Sequence, residues 1–126
     1  YGEFIGISFQ LIDDYLDYIG SKNAIGKNTG DDFNEQKITL PIIHAMNNAS
    51  NSEKFLLTEI FEKGLAKTGD FERVLEILYK NRSLNFTVSQ AVKWSEQAIL
   101  SIKDLPDSGM RELLIDLASE IVDRNS

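Results

Sequence analysis

The 126-residue sequence contains no cysteine. Disulfides, thiolate metal sites and a cysteine nucleophile are therefore excluded, and the composition fits a reducing cytoplasm. The single histidine, His44, leaves too little imidazole for an ordinary zinc site. Positive charge is scarce: 13 Lys and Arg stand against 20 Asp and Glu, a net charge of −7. A nucleic-acid binder normally carries a basic face, so that class is set aside. No apolar run reaches membrane-spanning length, and no leader-like pattern opens the chain. Proline occurs only at positions 41 and 106, leaving long stretches free to be helical. Three Asn-x-Ser/Thr triplets, starting at Asn48, Asn81 and Asn85, are read as chance matches, since no secretory signal accompanies them.

What is present is apolar residues at helical spacing. The chain is 42% hydrophobic and 26% charged, enough for a packed core in one domain. Tyr1 to Ile19 reads as one helix, apolar nearly all round and therefore buried. Gly20 to Asn34, rich in Gly, Asn and Asp, reads as a loop. Pro41 suits the first turn of a helix running to about Asn47, with Thr39 or Leu40 near its cap. Ser52 to Lys67 places Phe55, Leu56, Ile60, Phe61 and Leu65 at helical spacing, with Ser52 as a candidate cap. Gly69-Asp70 breaks that pattern, and Asp70 can cap a short helix carrying Phe71, Val74, Leu75 and Leu78. Val88 to Leu105 is again periodic, Pro106 to Gly109 is a turn, and Met110 to Val122 has Leu113, Leu114, Leu117 and Ile121 on one face. No stretch alternates as a strand. The expectation is all-α, with about five or six helices.

Chemistry concentrates in the first helix. Gln10, Asp13, Asp14 and Asp17 fall at i, i+3, i+4 and i+7, one narrow stripe, with Gly6 one turn earlier. Three carboxylates on one stripe repel, and burial makes each charge costlier. The stripe must face water, keep protons or bind cations. Oxygen-only ligands favour hard ions such as Mg2+, which commonly shares its shell with substrate phosphates. Gly6 would leave room for a bulky ligand beside the stripe. A plain solvated acidic face is the competing reading.

The run Gly6-Ile7-Ser8-Phe9-Gln10-Leu11-Ile12-Asp13-Asp14-Tyr15-Leu16-Asp17 resembles the second aspartate-rich signature of trans-type polyprenyl diphosphate synthases. Gly26-Lys27-Asn28-Thr29-Gly30-Asp31-Asp32 and Lys37-Ile38-Thr39-Leu40-Pro41 follow in that family's order. The resemblance spans residues 1–126, is strongest from Gly2 to Ile43, and is closest to bacterial long-chain enzymes of the octaprenyl and decaprenyl type. It implies the C-terminal portion of an isoprenoid-synthase helical bundle. It also implies a magnesium-dependent transferase joining an allylic diphosphate to isopentenyl diphosphate head to tail, cytoplasmic and homodimeric when intact.

By the motif match, Asp13 is the foremost magnesium ligand, with Asp14 and Asp17 in support. Lys27 would meet the allylic diphosphate. Gln10 would line the allylic pocket, with Phe9 beside it. Lys37 is open between a phosphate contact and a loop salt bridge, and Asp31 and Asp32 between an outer metal shell and a turn or cap. His44 is read as a packing or surface residue, and Trp94 as a core or interface residue. The chain opens without methionine, directly in an apolar helix, and lacks the family's first aspartate-rich motif. The expectation is a segment of under half a subunit, inactive alone, with its acidic stripe open to solvent. The alternative is a non-catalytic helical subunit retaining the fold. A terpene cyclase is disfavoured by the Phe-Gln pair and the Lys-x-Thr-Leu-Pro run.

Overall fold

The computed structural model describes residues 1–20, 31–106 and 109–123. Among them there are seven helices and no strand: α1 Gly2–Ile19, α2 Asp31–Asn34, α3 Leu40–Asn48, α4 Asn51–Phe61, α5 Asp70–Lys80, α6 Ser83–Ser101 and α7 Gly109–Asp123. Six of these have nine residues or more, as the periodicity implies. The seventh, α2, is a single turn inside the stretch that reads as loop.

Local signals explain most boundaries. Gly20 adopts φ +84° and its N–H returns to the Leu16 carbonyl at 2.6 Å, a left-handed stop for α1 that costs glycine least. Pro41 sits in the first turn of α3, after Thr39 at the cap. The cap of α4 is Ser50 rather than Ser52. The Ser50 hydroxyl accepts the Glu53 N–H at 3.3 Å, and the Glu53 carboxylate accepts the Ser50 N–H at 2.9 Å, a reciprocal capping box. Helix α4 stops at Phe61, short of the expected Lys67; Gly64 follows with φ +68°. Helix α6 begins at Ser83 instead of Val88, adding buried Leu84 and Thr87.

The chain forms two compact units, residues 1–13 with 88–126 and residues 14–87. In the first, small residues set the contacts. Ser8, Ala91, Ser95, Ala98 and Ala118 are all buried. Ala91, Ser95 and Ala98 share one face of α6. The Ser8 hydroxyl donates to the Ala91 carbonyl at 2.8 Å, and Ser95 donates to the Ala118 carbonyl at 2.8 Å. Such bonds satisfy buried hydroxyls across a close helix approach. Phe4 stacks on Trp94 with ring centroids 5.6 Å apart, and the Tyr1 hydroxyl reaches the Leu114 carbonyl at 2.6 Å.

The second unit is built on large side chains. Tyr18, Phe33, Ile42, Leu57, Ile60, Phe61, Val74, Ile77, Leu78 and Leu84 form one buried cluster. Phe33 meets Phe71 edge-on at 5.4 Å and Phe61 at 5.9 Å, while Tyr18 stacks on Phe71 at 6.1 Å. Edge-on and stacked rings of this kind add stability beyond area burial.

Candidate functional site: the acidic stripe of the first helix

Helix α1 carries the stripe without a break, but its members differ sharply in exposure. Gln10 is exposed and Asp13 half-buried, whereas Asp14 is 6% and Asp17 1% exposed. The expected openness holds for the first two and fails for the last two. The cause at Asp17 is visible: its Oδ2 accepts the backbone N–H of Asp32, at the start of α2, at 2.9 Å. Asp32 lies in the stretch that reads as loop, so its partnership with Asp17 is visible only in the fold.

Tyr18 belongs to the same neighbourhood and sequence reasoning passed it over. It is 1% exposed, and burial, reinforced by the charges of Asp17, Asp32 and Asp14, pushes its phenol well above the ordinary tyrosine range. The hydroxyl therefore keeps its proton at any physiological pH. Lys37 is exposed, with Nζ 3.9 Å from Asp32 Oδ1, so the loop salt-bridge reading is the contact this structure contains. Exposed pairs at that distance contribute little. Lys27 lies outside the described residues, as does the side chain of Asp31.

Beside the exposed end of the stripe is a mainly apolar groove of about 690 Å³, within the first unit, lined by Gly2, Ile5, Gly6 and Phe9 of α1 and by Leu117 and Ile121 of α7, with Glu120 and Asp123 of α7 also on its wall. Neither glycine is forced by backbone conformation, since neither has positive φ. A Cβ on either would meet nothing within 4 Å. Glycine inside a helix costs roughly 1 kcal/mol relative to alanine, so Gly6 keeps a turn of α1 backbone bare at some expense in stability, and Gly2, the first residue of the helix, extends the bare surface. Phe9, 44% exposed, stands at the edge of this floor.

Among the described residues no three His, Cys, Asp or Glu side chains are grouped so as to hold a metal by themselves. That suits the stripe's geometry. Asp13 and Asp17 share one face a turn apart, about 6 Å along the axis, but Asp17 is sealed. Magnesium needs only one or two carboxylates when phosphate oxygens complete its shell. Asp13, acidic and partly open, fits that role; Asp17, sealed and already accepting a hydrogen bond, fits it poorly. His44 and Trp94 are packing residues as expected. His44 Nδ1 lies 2.8 Å from the Ser83 hydroxyl and its ring stacks on Phe86 at 4.4 Å, while Trp94 is the partner of Phe4.

Residues 1–78 match the polyprenyl synthetase family. The chain belongs to that family. It is 40% identical to the octaprenyl diphosphate synthase of Haemophilus influenzae over 125 residues, 99% of this chain but 38% of that protein. Identity is 35% to the all-trans-nonaprenyl-diphosphate synthase (geranyl-diphosphate specific) of Rhodobacter capsulatus, over 94% of this chain and 36% of that one. The polyprenyl synthase of Caulobacter crescentus, solved with calcium and isoprenyl diphosphate, matches with a TM-score of 0.91 and 33% identity, over 100% of this chain and 38% of that one. The chain thus spans a little under two fifths of the length of these relatives. No described helix is long and apolar enough to cross a membrane.

Proposed function

We propose that this chain is the second-aspartate-motif segment, residues 1–126, of a polyprenyl diphosphate synthase. The completed enzyme would condense an allylic diphosphate with isopentenyl diphosphate, using Mg2+, as a cytoplasmic homodimer making long prenyl chains. The observation that carries this reading is the pairing on one helix of a half-open carboxylate, Asp13, with a glycine-floored apolar groove. A polar head and a long apolar tail on one molecule need these two surfaces side by side.

The roles follow from the surroundings. The allylic carbon–oxygen bond breaks with its electron pair leaving on the diphosphate, and the double bond of isopentenyl diphosphate attacks the resulting cation and then loses a proton. A bound magnesium would supply Lewis-acid neutralisation of the departing diphosphate. Asp13 would hold that ion, with Asp14 beside it on the stripe adding negative potential. Gln10, neutral and exposed, would face the allylic carbon without quenching it. Phe9 and the bare backbone at Gly2 and Gly6 would accept the tail. Lys27 would add positive charge against the diphosphate, and Lys37 would stand further out. Alone, the chain would not transfer prenyl groups, because the opposing aspartate-rich motif is not in it.

The decisive measurement is Asp13→Asn in an active synthase carrying this segment. Loss of one preorganised electrostatic stabiliser is worth on the order of 100- to 1000-fold in rate. The melting temperature should hold or rise slightly, since one of three clustered like charges is removed. Turnover like wild type at saturating magnesium would overturn the assignment and favour the non-catalytic subunit.

A further inference from the structure

Asp17 is the third aspartate of the motif, and its surroundings separate it from the first. It is 1% exposed, and Mg2+, which sheds water reluctantly and keeps several waters, needs an approachable ligand. Its Oδ2 instead accepts the Asp32 N–H at 2.9 Å. The first N–H groups of a helix have no partner within it, and α2, only four residues long, has few internal bonds to hold it. A carboxylate accepting such an N–H makes a charge-assisted bond, stronger than a neutral one.

The next residue on each side repeats the connection in apolar form. Tyr18, after Asp17, stacks on Phe71 at 6.1 Å, and Phe33, after Asp32, meets the same ring edge-on at 5.4 Å. Hydrogen bond and rings together tie the last turn of α1 to α2.

We infer that Asp17 is a positioning residue, a clasp that fastens α2 to the end of α1 and so sets where the chain leaves and re-enters on either side of the segment containing Lys27. The motif's aspartates then divide their work: Asp13 faces outward for a cation, and Asp17 faces inward for a backbone amide. The significance for prenyl transfer rests on the function proposed above; the clasp itself does not.

The two roles respond oppositely to one substitution. Asparagine keeps a carbonyl oxygen that can accept the Asp32 N–H but has no charge for a metal. In the metal-free 126-residue chain, amide hydrogen exchange at Asp32 should change by less than about threefold in Asp17→Asn and accelerate by about tenfold or more in Asp17→Ala, the scale expected for one hydrogen bond to a charged group. In an active synthase carrying the segment, Asp17→Asn should keep kcat within about fivefold while Asp13→Asn loses on the order of 100-fold. Equal losses in Asp17→Asn and Asp13→Asn would overturn the division of roles. So would an Asp32 amide that loses protection in folded Asp17→Asn, or keeps it in folded Asp17→Ala. Because exchange is read without turnover, failure of the clasp and failure of the proposed reaction give different results.

Discussion

The two compact units bury their helices by different means. The second relies on bulk: twelve buried side chains, Phe33, Leu57 and Ile60 among them, form one cluster. The first relies on smallness: Ser8, Ala91, Ser95 and Ala98 let helix backbones come close, and hydroxyls bond across the gap. Both leave apolar surface in the open: Phe55 is 67% and Tyr79 58% exposed in the second, and Met110 and Leu113 are each 62% exposed in the first. Large interlocking side chains and close backbone contacts are two ways of joining helices, and neither covers all the apolar surface, which is where ligands and partners act.

Substitutions can sharpen or break this contrast. The largest effect should come from Phe33→Ala, which empties a site shared by two aromatic contacts. Phenylalanine-to-alanine changes in cores typically cost about 3–5 kcal/mol, measurable by urea denaturation of the chain. A loss of under about 1 kcal/mol would mean that the second unit is not held by bulk. Next is Ala98→Leu in the first unit, where close approach leaves no room for three more carbons. Overpacking of this kind costs about 1–3 kcal/mol, and a neutral result would show that α6 has slack. Smallest is Leu113→Ser. At 62% exposure it should change stability by no more than about 0.5 kcal/mol. It should, however, reduce concentration-dependent self-association in sedimentation velocity. A large stability loss there would place Leu113 in a core and add bulk to the packing of the first unit.

Much of this was legible in the sequence, and the gaps have physical causes. Helix α1 and its stripe follow from spacing alone, because Gln10, Asp13, Asp14 and Asp17 interrupt an otherwise apolar run. The burial of Asp17 does not follow, because it depends on the N–H of Asp32, fifteen residues on, in a turn whose Asn and Asp composition reads as loop. The start of α6 was hidden by Asn81, Arg82 and Asn85, polar residues that mask buried Ser83 and Leu84. The cap of α4 was available in principle. Ser50 has glutamate three residues on and Ser52 has phenylalanine, so the capping-box rule selects Ser50. The groove over Gly2 and Gly6 was half-anticipated: Gly6 suggested room for a ligand, but only the fold brings Leu117 and Ile121 of α7 to its other side.

The Glu53 carboxylate answers to more than its own helix. Besides the Ser50 amide it lies 3.3 Å from Lys80 Nζ, and the Asn81 side-chain amide donates to it at 3.5 Å, so one charge joins the first turn of α4 to the last turn of α5. The Ser50 backbone hydrogen bond, with help from Lys80 and Asn81, holds Glu53 below the ordinary glutamate range. A carboxyl depressed in the folded state contributes stability above its unfolded pKa and loses it as pH falls through the folded value. One proton arriving at Glu53 therefore loosens the start of one helix and the end of another together. Because that folded value is depressed, the joint holds through mild acid and gives way only below the ordinary glutamate range.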